Sequence, residues 1–263
     1  MTTRELLRCA VPVARYYLRP LRRSLTTFRQ CEGRTWNVVL GPVRVCGHDV
    51  VLRTPRVADA AEWRAARLRE RRRIEPWWAS DPRSWAERHT DAAWVTGWLQ
   101  ARQQARAGHA FPLIIEVDGQ VAGECGLAWI APHTATAEMS AWLEAGWGAL
   151  GVSGVAGGLL LDHATSVLGV QRVIAPIAAG NRAAAWAVVR LGLRKEGRMA
   201  GYLEVGGRRL DHDLWAITAE QLPEGGLAEA MRAAAENAPR TRGARVTPAE
   251  SAGTPAPAPS GSP

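Results

Sequence analysis

The sequence predicts an α/β (α+β) fold, with a mixed and mostly antiparallel central sheet flanked by helices. Three observations predict it. Strand-like and helical segments follow one another in the order β-α-α-β-β-β-α-β-α-β-β, preceded by one further strand. Asp118-Gly119 stands between two apolar runs, the strongest short-range signal of a hairpin. A capped helix, opened by Asn181 and closed by Gly192, lies between two further strands.

The elements follow in chain order. Residues 37–40 and 50–53 are strand-like, and Gly41-Pro42 and 46–49 between them are turn material. Asp59 is expected to cap a helix running to Arg73, with Glu62 three residues on completing a capping box; Pro76 ends it. A second helix is expected from about Ser84 to Ala107. Phe111 to Glu116 and Gln120 to Trp129 form the hairpin, and Glu138 to Leu143 is the next strand. A glycine-rich stretch leads into a helix from Gly154 to Leu168, then a strand from Arg172 to Ile177. After the Asn181 helix a short strand reaches Glu196-Gly197. Met199 to Val205 and Asp211 to Ile217 pair across Gly206-Gly207. One short helix over 227–237 follows.

The chain of 263 residues is long enough to bury a proper core. No apolar run approaches the roughly 20 residues a membrane span needs. The first residues lack a clean apolar stretch and cleavage site, so no secretory signal is expected. Cys9, Cys31, Cys46 and Cys125 are scattered, which speaks against a zinc site and a disulfide framework and for free thiols in the cytoplasm. His89, His109, His133 and His163 show no ligand spacing, so no metal is proposed. The net charge is +8, almost all of it carried by arginine; Lys195 is the only lysine. Residues 1–35 hold Arg4, Arg8, Arg15, Arg19, Arg22, Arg23, Arg29 and Arg34 against Glu5 and Glu32. Such an arm either binds RNA, ribosomes or acidic headgroups, or is simply a solvated basic helix. Residues 239–263 are Ala/Pro/Gly/Ser/Thr sequence that cannot bury enough apolar surface to order itself.

The phrase from Asn181 through Ala184, Leu191-Gly192-Leu193 and Glu196-Gly197 resembles the Asn-x-x-Ser, Leu-Gly-Phe, Glu-Gly signature of the GNAT superfamily of acyl-CoA-dependent N-acyltransferases. It is most similar to the RimJ/RimL branch, which acetylates ribosomal-protein N-termini, and Glu75-Pro76-Trp77 resembles the Pro-Trp turn of that branch. The resemblance covers roughly residues 50–218. With the charge and composition of the two ends, three regions are expected: a basic extension over 1–35, an acyltransferase domain over 36–219, and a short helix with a disordered tail over 220–263. The resemblance also implies a sheet that splays at the acyl-CoA site and acetyl-CoA as donor; a cytoplasmic monomer or homodimer is expected.

The run from Trp142-Leu143 to Ser153 lies between a strand and a helix. A glycine-rich turn at a helix N-terminus presents free backbone N–H groups and the positive end of the dipole, a ready site for pyrophosphate. The resemblance makes this the acyl-CoA loop and assigns Trp142, Leu143, Gly148, Ala149, Gly151, Val152 and Ser153 to the cofactor, with Asn181 on the pantetheine and Arg190 on the nucleotide phosphates. The family's Gln/Arg of this loop is absent, since its position is Gly148. A carboxylate introduced at Gly151 is expected to abolish acyl-CoA binding.

Catalysis needs a base for the amine and an acid for the thiolate. The family serine is Ala184 here, and residues 172–177 carry no carboxylate. Glu138, Glu124, Tyr202, Asp211 and His212 are the candidates. Glu138 is favoured as base, and Asp211-His212 matches the family's Asp-His pair, with a histidine that titrates near neutrality. Trp63, Trp77, Trp78, Trp85, Trp94 and Trp98 either line an acceptor slot or pack as core and lid. No cysteine lies in the expected cleft, which implies direct acetyl transfer to a primary amine, most simply a protein N-terminus. Two rivals remain: a catalytically degenerate acyl-CoA-binding module, and a small-molecule amine acyltransferase.

Overall fold

The computed structural model describes residues 34–238. The expectations for the tail, and for all of the basic arm except Arg34 and Thr35, lie outside the described residues. Eight strands form one sheet: β1 (Val39–Val45), β2 (His48–Arg53), β3 (Phe111–Val117), β4 (Gln120–Ala131), β5 (Thr136–Leu143), β6 (Arg172–Ala178), β7 (Arg194–Val205) and β8 (Arg208–Thr218). Their order across the sheet is β1-β2-β3-β4-β5-β6-β8-β7. Every neighbouring pair is antiparallel except β5 and β6.

Local sequence explains most of this. Asp118 and Gly119 both take positive φ (49° and 82°), the turn that matches strand twist, and Val117 pairs with Gln120. Gly206 and Gly207 do the same at the β7–β8 turn, where Val205 pairs with Arg208. β1 runs through Gly41-Pro42, where a turn was expected, because a register shift between Leu40 and Val43 absorbs the irregularity. β7 is one strand through Glu196-Gly197, with a register shift at Gly197 rather than an end.

The first helical region is more broken than its periodicity suggests. It contains α1 (Ala60–Arg69), α2 (Arg71–Ile74), α3 (Trp85–Arg88) and α4 (Asp91–Arg106). The expected capping box at Asp59 does not form. The Asp59 carboxylate instead accepts from both Nη atoms of buried Arg53, each at 2.8 Å, and from Arg56 N–H. Glu62 accepts the Val121 N–H at 3.0 Å. Tertiary partners outcompete the local cap because an unpaired buried guanidinium would cost more than a cap returns. Thr90 supplies the real cap of α4, accepting from Ala93 N–H.

These four helices cover one sheet face through Trp63, Ala66, Ile74, Trp85 and Trp94, packed on Ile114, Val121 and Trp142. The opposite face carries α5 (Val152–Ser166), α6 (Arg182–Arg190) and α7 (Leu227–Glu236) over the larger core of Leu52, Phe111, Leu113, Leu127, Val173 and Ile217. α5 has glycines at 154, 157 and 158, a composition that weakens an isolated helix. Packing explains Gly158: a Cβ there would lie 2.5 Å from the Cα of Ala228. α7 therefore sits directly on α5, and Asp162 of α5 caps it by accepting from Leu227 and Ala228 N–H at 2.8 and 2.9 Å.

Candidate active site

The parallel ladder between β5 and β6 holds for only three pairs, Thr136 with Arg172, Ala137 with Val173 and Glu138 with Ile174. Beyond that point the strands part. Met139–Leu143 stay paired with β4, while 175–178 stay paired with β8. The β5 backbone is thus left without a ladder partner on its β6 side from Met139 onward. Buried Trp142 turns its ring toward α1, and its indole N–H donates to Glu124. Leu143 places its carbonyl 3.4 Å from Arg73 Nη1.

The chain then makes a 3-10 segment, Ala145–Leu150, and turns at Gly151 (φ 77°) into α5. Glu70 anchors the start of this segment by accepting the Ala145 N–H at 3.2 Å. Gly148 and Ala149 are exposed, Ser153 is half-buried, and Val152 is wholly buried, so Val152 can offer a ligand only its backbone. No side chain caps α5. Its first N–H groups have no partner within the helix and carry the positive end of the dipole. The open ladder edge and this N-terminus together fit a pantetheine and a pyrophosphate. The Cβ direction of Gly151 does not point into that cradle: a Cβ there would meet the Ala235 methyl at 2.5 Å. An aspartate at 151 would dislodge α7 as well, so it does not probe the cofactor alone.

Asn181 caps α6, accepting from Ala184 N–H at 3.2 Å, just past the end of β6. Trp77 stands beside this bend, 3.8 Å from where a Cβ on Gly180 would be. Arg190 is at the other end of α6, roughly 12 Å along the axis, with its guanidinium over the Trp186 ring at 4.8 Å. Asn181 and Arg190 therefore do not share one contact site.

Glu138 stands at the last paired position before the strands part, half-buried, with its carboxylate accepting the Trp129 indole N–H at 2.9 Å. Asp211 accepts from Gly201 N–H at 2.9 Å. His212 is buried, bonded through Nδ1 to the Leu210 carbonyl at 3.0 Å, and edge-on to Tyr202. His212 pairs with Ala178 and Glu138 with Ile174, so four residues of β6, about 13 Å, separate them. Asp211-His212 and Glu138 are not brought into contact. Cys125 is buried in the larger core and burial pushes its thiol up to about 12, so it offers no nucleophile. Among the described residues, no group of three or more His, Cys, Asp or Glu side chains is placed to hold a metal, and no helix is long and apolar enough to cross a membrane.

Sequence reading missed the centre of the tryptophan cluster. Arg67, 2% exposed, lies among the rings of Trp78, Trp142, Trp85 and Trp63, with its guanidinium carbon 3.9, 5.0, 5.1 and 5.8 Å from their centroids. Its Nε donates to Nε2 of buried His89 at 3.0 Å. The His89 Nδ1–H donates to the Trp85 carbonyl at 2.6 Å, which leaves Nε2 as the acceptor. Burial, with the charges of Arg67 and Arg88 adding to it, pushes His89 down to about 4. Burial also pulls Arg67 down to about 10, opposed by the field of Glu124, so it stays a cation at neutral pH. Glu124, directly across from Trp142 on β4, accepts the indole N–H groups of Trp63 (3.1 Å) and Trp142. The available signal was Trp63 and Arg67 one helical turn apart, with Trp77, Trp78 and Trp85 downstream.

Residues 49–194 match the acetyltransferase (GNAT) domain family. Among solved structures, the chain is similar to Mycobacterium smegmatis RimJ in complex with CoA-disulfide, at 32% identity over 76% of this chain and 96% of that one, with a TM-score of 0.72. It shares its fold with the Vibrio fischeri ribosomal-protein-S5-alanine acetyltransferase, at 20% identity over 65% of this chain and 94% of that one, TM-score 0.60. The same holds for the microcin C7 self-immunity acetyltransferase MccE in complex with acetyl-CoA and AMP, at 19% identity over 64% and 92%, TM-score 0.59. No curated protein matches the sequence. The opened β5–β6 ladder, the α5 N-terminus behind it and the family match over 49–194 agree: this chain belongs to the GNAT family and is an acyl-CoA-dependent acetyltransferase.

Proposed function

We propose that the protein transfers acetyl directly from acetyl-CoA to a primary amine, and that the amine is a protein N-terminus. The observation that carries the reading is the parting of β5 from β6 after Glu138, which opens a backbone edge between the α5 N-terminus on one side and the aromatic cluster on the other. The likeness to RimJ at 32% identity across nearly all of that chain supports a peptide amine over a small-molecule one.

In this reading the N–H groups from Gly151 to Ser153 hold the pyrophosphate, and the free β5 edge at Trp142 and Leu143 holds the pantetheine. Gly148 and Ala149, both exposed, line the approach. Asn181 keeps the β6–α6 bend in place, and Arg190 meets the solvent-facing end of the nucleotide. Acetyl-CoA, when bound, would supply the thioester carbonyl that the amine attacks; as the N–C bond forms, the C–S bond breaks and CoA leaves as the thiolate, which takes up the proton the nitrogen sheds. Glu138 takes the ammonium proton before attack, because it sits where the cleft begins and is fixed by the Trp129 indole. Asp211 and His212 shape the acceptor rim. The Arg-rich arm steers the enzyme to ribosomes in the cytoplasm, so co-sedimentation with ribosomes should weaken steeply as salt rises.

The test is calorimetry with acetyl-CoA, followed by mass spectrometry of peptides carrying a free α-amine. Binding followed by a single acetyl on the α-amine supports the proposal. Binding with transfer only to lysine side chains or small amines overturns the N-terminal acceptor. Binding without transfer to any amine leaves a cofactor-binding module in its place.

A further inference from the structure

Glu70 is a buried carboxylate that the proposed transfer does not use. It stands where α1 ends and α2 begins, in the helical layer that carries Trp63 and Trp85. Its two oxygens serve different parts of the chain. Oε2 accepts from Arg73 Nη1, three residues on, and Oε1 accepts the Ala145 N–H at 3.2 Å, from 75 residues away. Ala145 opens the 3-10 segment 145–150, which leads from the open β5 edge to Gly151 and the start of α5.

That segment has little of its own to hold it. No side-chain hydrogen bond from Glu144 caps it. A Cβ built on Gly146 or Gly148 would meet nothing within 4 Å, and Gly148 and Ala149 are exposed. Trp147, midway along, rests edge-on against His48 at 5.2 Å. The far end turns at Gly151 against Ala235. The near end is held from the helical layer. Glu70 accepts the first N–H, Arg69 donates to the Glu144 carboxylate, and Arg73 Nη1 approaches the Leu143 carbonyl at 3.4 Å. The Arg69 pair is a weak anchor because Arg69 is 60% exposed, and the Arg73 contact is long. The Glu70 side chain is only 9% exposed, so water screens its charge-assisted bond to the loop backbone far less.

A loop that offers backbone N–H groups to a pyrophosphate binds more weakly the less time it spends in the receptive conformation. We propose that Glu70 is a positioning residue for acyl-CoA. Acting in place of a local cap, it fixes the entry to the loop, so that the β5 edge at Leu143 and the α5 N-terminus are presented together before the cofactor arrives. The loop is thus set by the helical layer on one face of the sheet, although the helix it leads into lies on the other. The inference rests on the reading of the loop and the α5 N-terminus as the acyl-CoA site.

The test is calorimetry of CoA with wild type, Glu70→Ala and Glu70→Gln, with urea unfolding of each protein in the absence of CoA. The Arg73 side chain is 52% exposed, so removing the carboxylate strands no buried charge and both variants should fold. Glu70→Ala should weaken CoA binding about tenfold, the loss expected of one charge-assisted hydrogen bond. Glu70→Gln keeps a carbonyl oxygen for the Ala145 N–H and should stay within about threefold of wild type. Hydrogen exchange gives a readout that a purely structural role would not move. Without CoA, amides 145–150 should exchange about tenfold faster in Glu70→Ala than in wild type, and saturating CoA should close the difference. Unchanged CoA affinity in Glu70→Ala, equal losses in the Ala and Gln variants, or faster exchange spread over the whole sheet overturns the positioning role. Wild type that does not bind CoA overturns the cofactor site itself, and the positioning role with it.

Discussion

Lowering the pH from 7.5 to 5 tests the buried contact between His89 and Arg67. His89 must be neutral to accept from Arg67 Nε, and a proton on Nε2 would set two donors and two positive charges face to face. Its ordinary value of 6.5 falls to about 4 in the fold because burial disfavours the imidazolium. A basic group depressed in the native state contributes stability that is complete above its unfolded value. That stability is lost as pH falls from 6.5 toward 4, because the unfolded chain takes up the proton first. The full displacement corresponds to about 3 kcal/mol, of which about 2 kcal/mol is already lost at pH 5. Urea unfolding of wild type and His89→Gln across pH 5–7.5 measures it. Glutamine keeps an acceptor for Arg67 but cannot titrate, so wild type should lose about 2 kcal/mol more than the variant over this interval. Parallel stability curves, or a His89 resonance titrating above pH 6, would refute the argument.

Three further outcomes follow from particular contacts. Glu138→Gln should lower kcat at least a hundredfold and leave the calorimetric Kd for acetyl-CoA unchanged; an unaltered kcat removes Glu138 from the proton path. Gly158→Ala should destabilise the fold by about 1–3 kcal/mol, because the methyl meets the α7 backbone at 2.5 Å, and hydrogen exchange should show α7 loosened before the sheet. In native protein an alkylating reagent should modify half-buried Cys46 and spare Cys125, whose thiol burial holds at about 12, with peptide mapping as the readout.

The sheet and its connections were legible in the sequence where the signal is local. Asp118-Gly119 and Gly206-Gly207 set two hairpins because only small or turn-forming residues tolerate consecutive positive φ. Asn181 and Gly192 bracket α6 for the same kind of reason, one as a side-chain cap and one at φ 88°. The glycine-rich entry into α5 was also readable, since a helix N-terminus exposes its N–H groups whatever packs behind it. Length estimates failed where local rules met tertiary partners. Asp59 left its expected cap for Arg53, and the helix expected over 59–73 broke at Glu70, whose carboxylate reaches across to Ala145.

By itself, then, the sequence determined the order of strands and helices, the turns, and the family signature around Asn181, because each depends on neighbours within a few residues. Only the tertiary structure decided where β5 and β6 part, that α7 closes over α5, that Glu138 and Asp211-His212 stand apart, and that Arg67 is buried among four tryptophans. Those facts depend on groups brought together from distant parts of the chain. Whether a charge there is buried, paired or left without an acceptor is a property of the packed core, which no local pattern encodes.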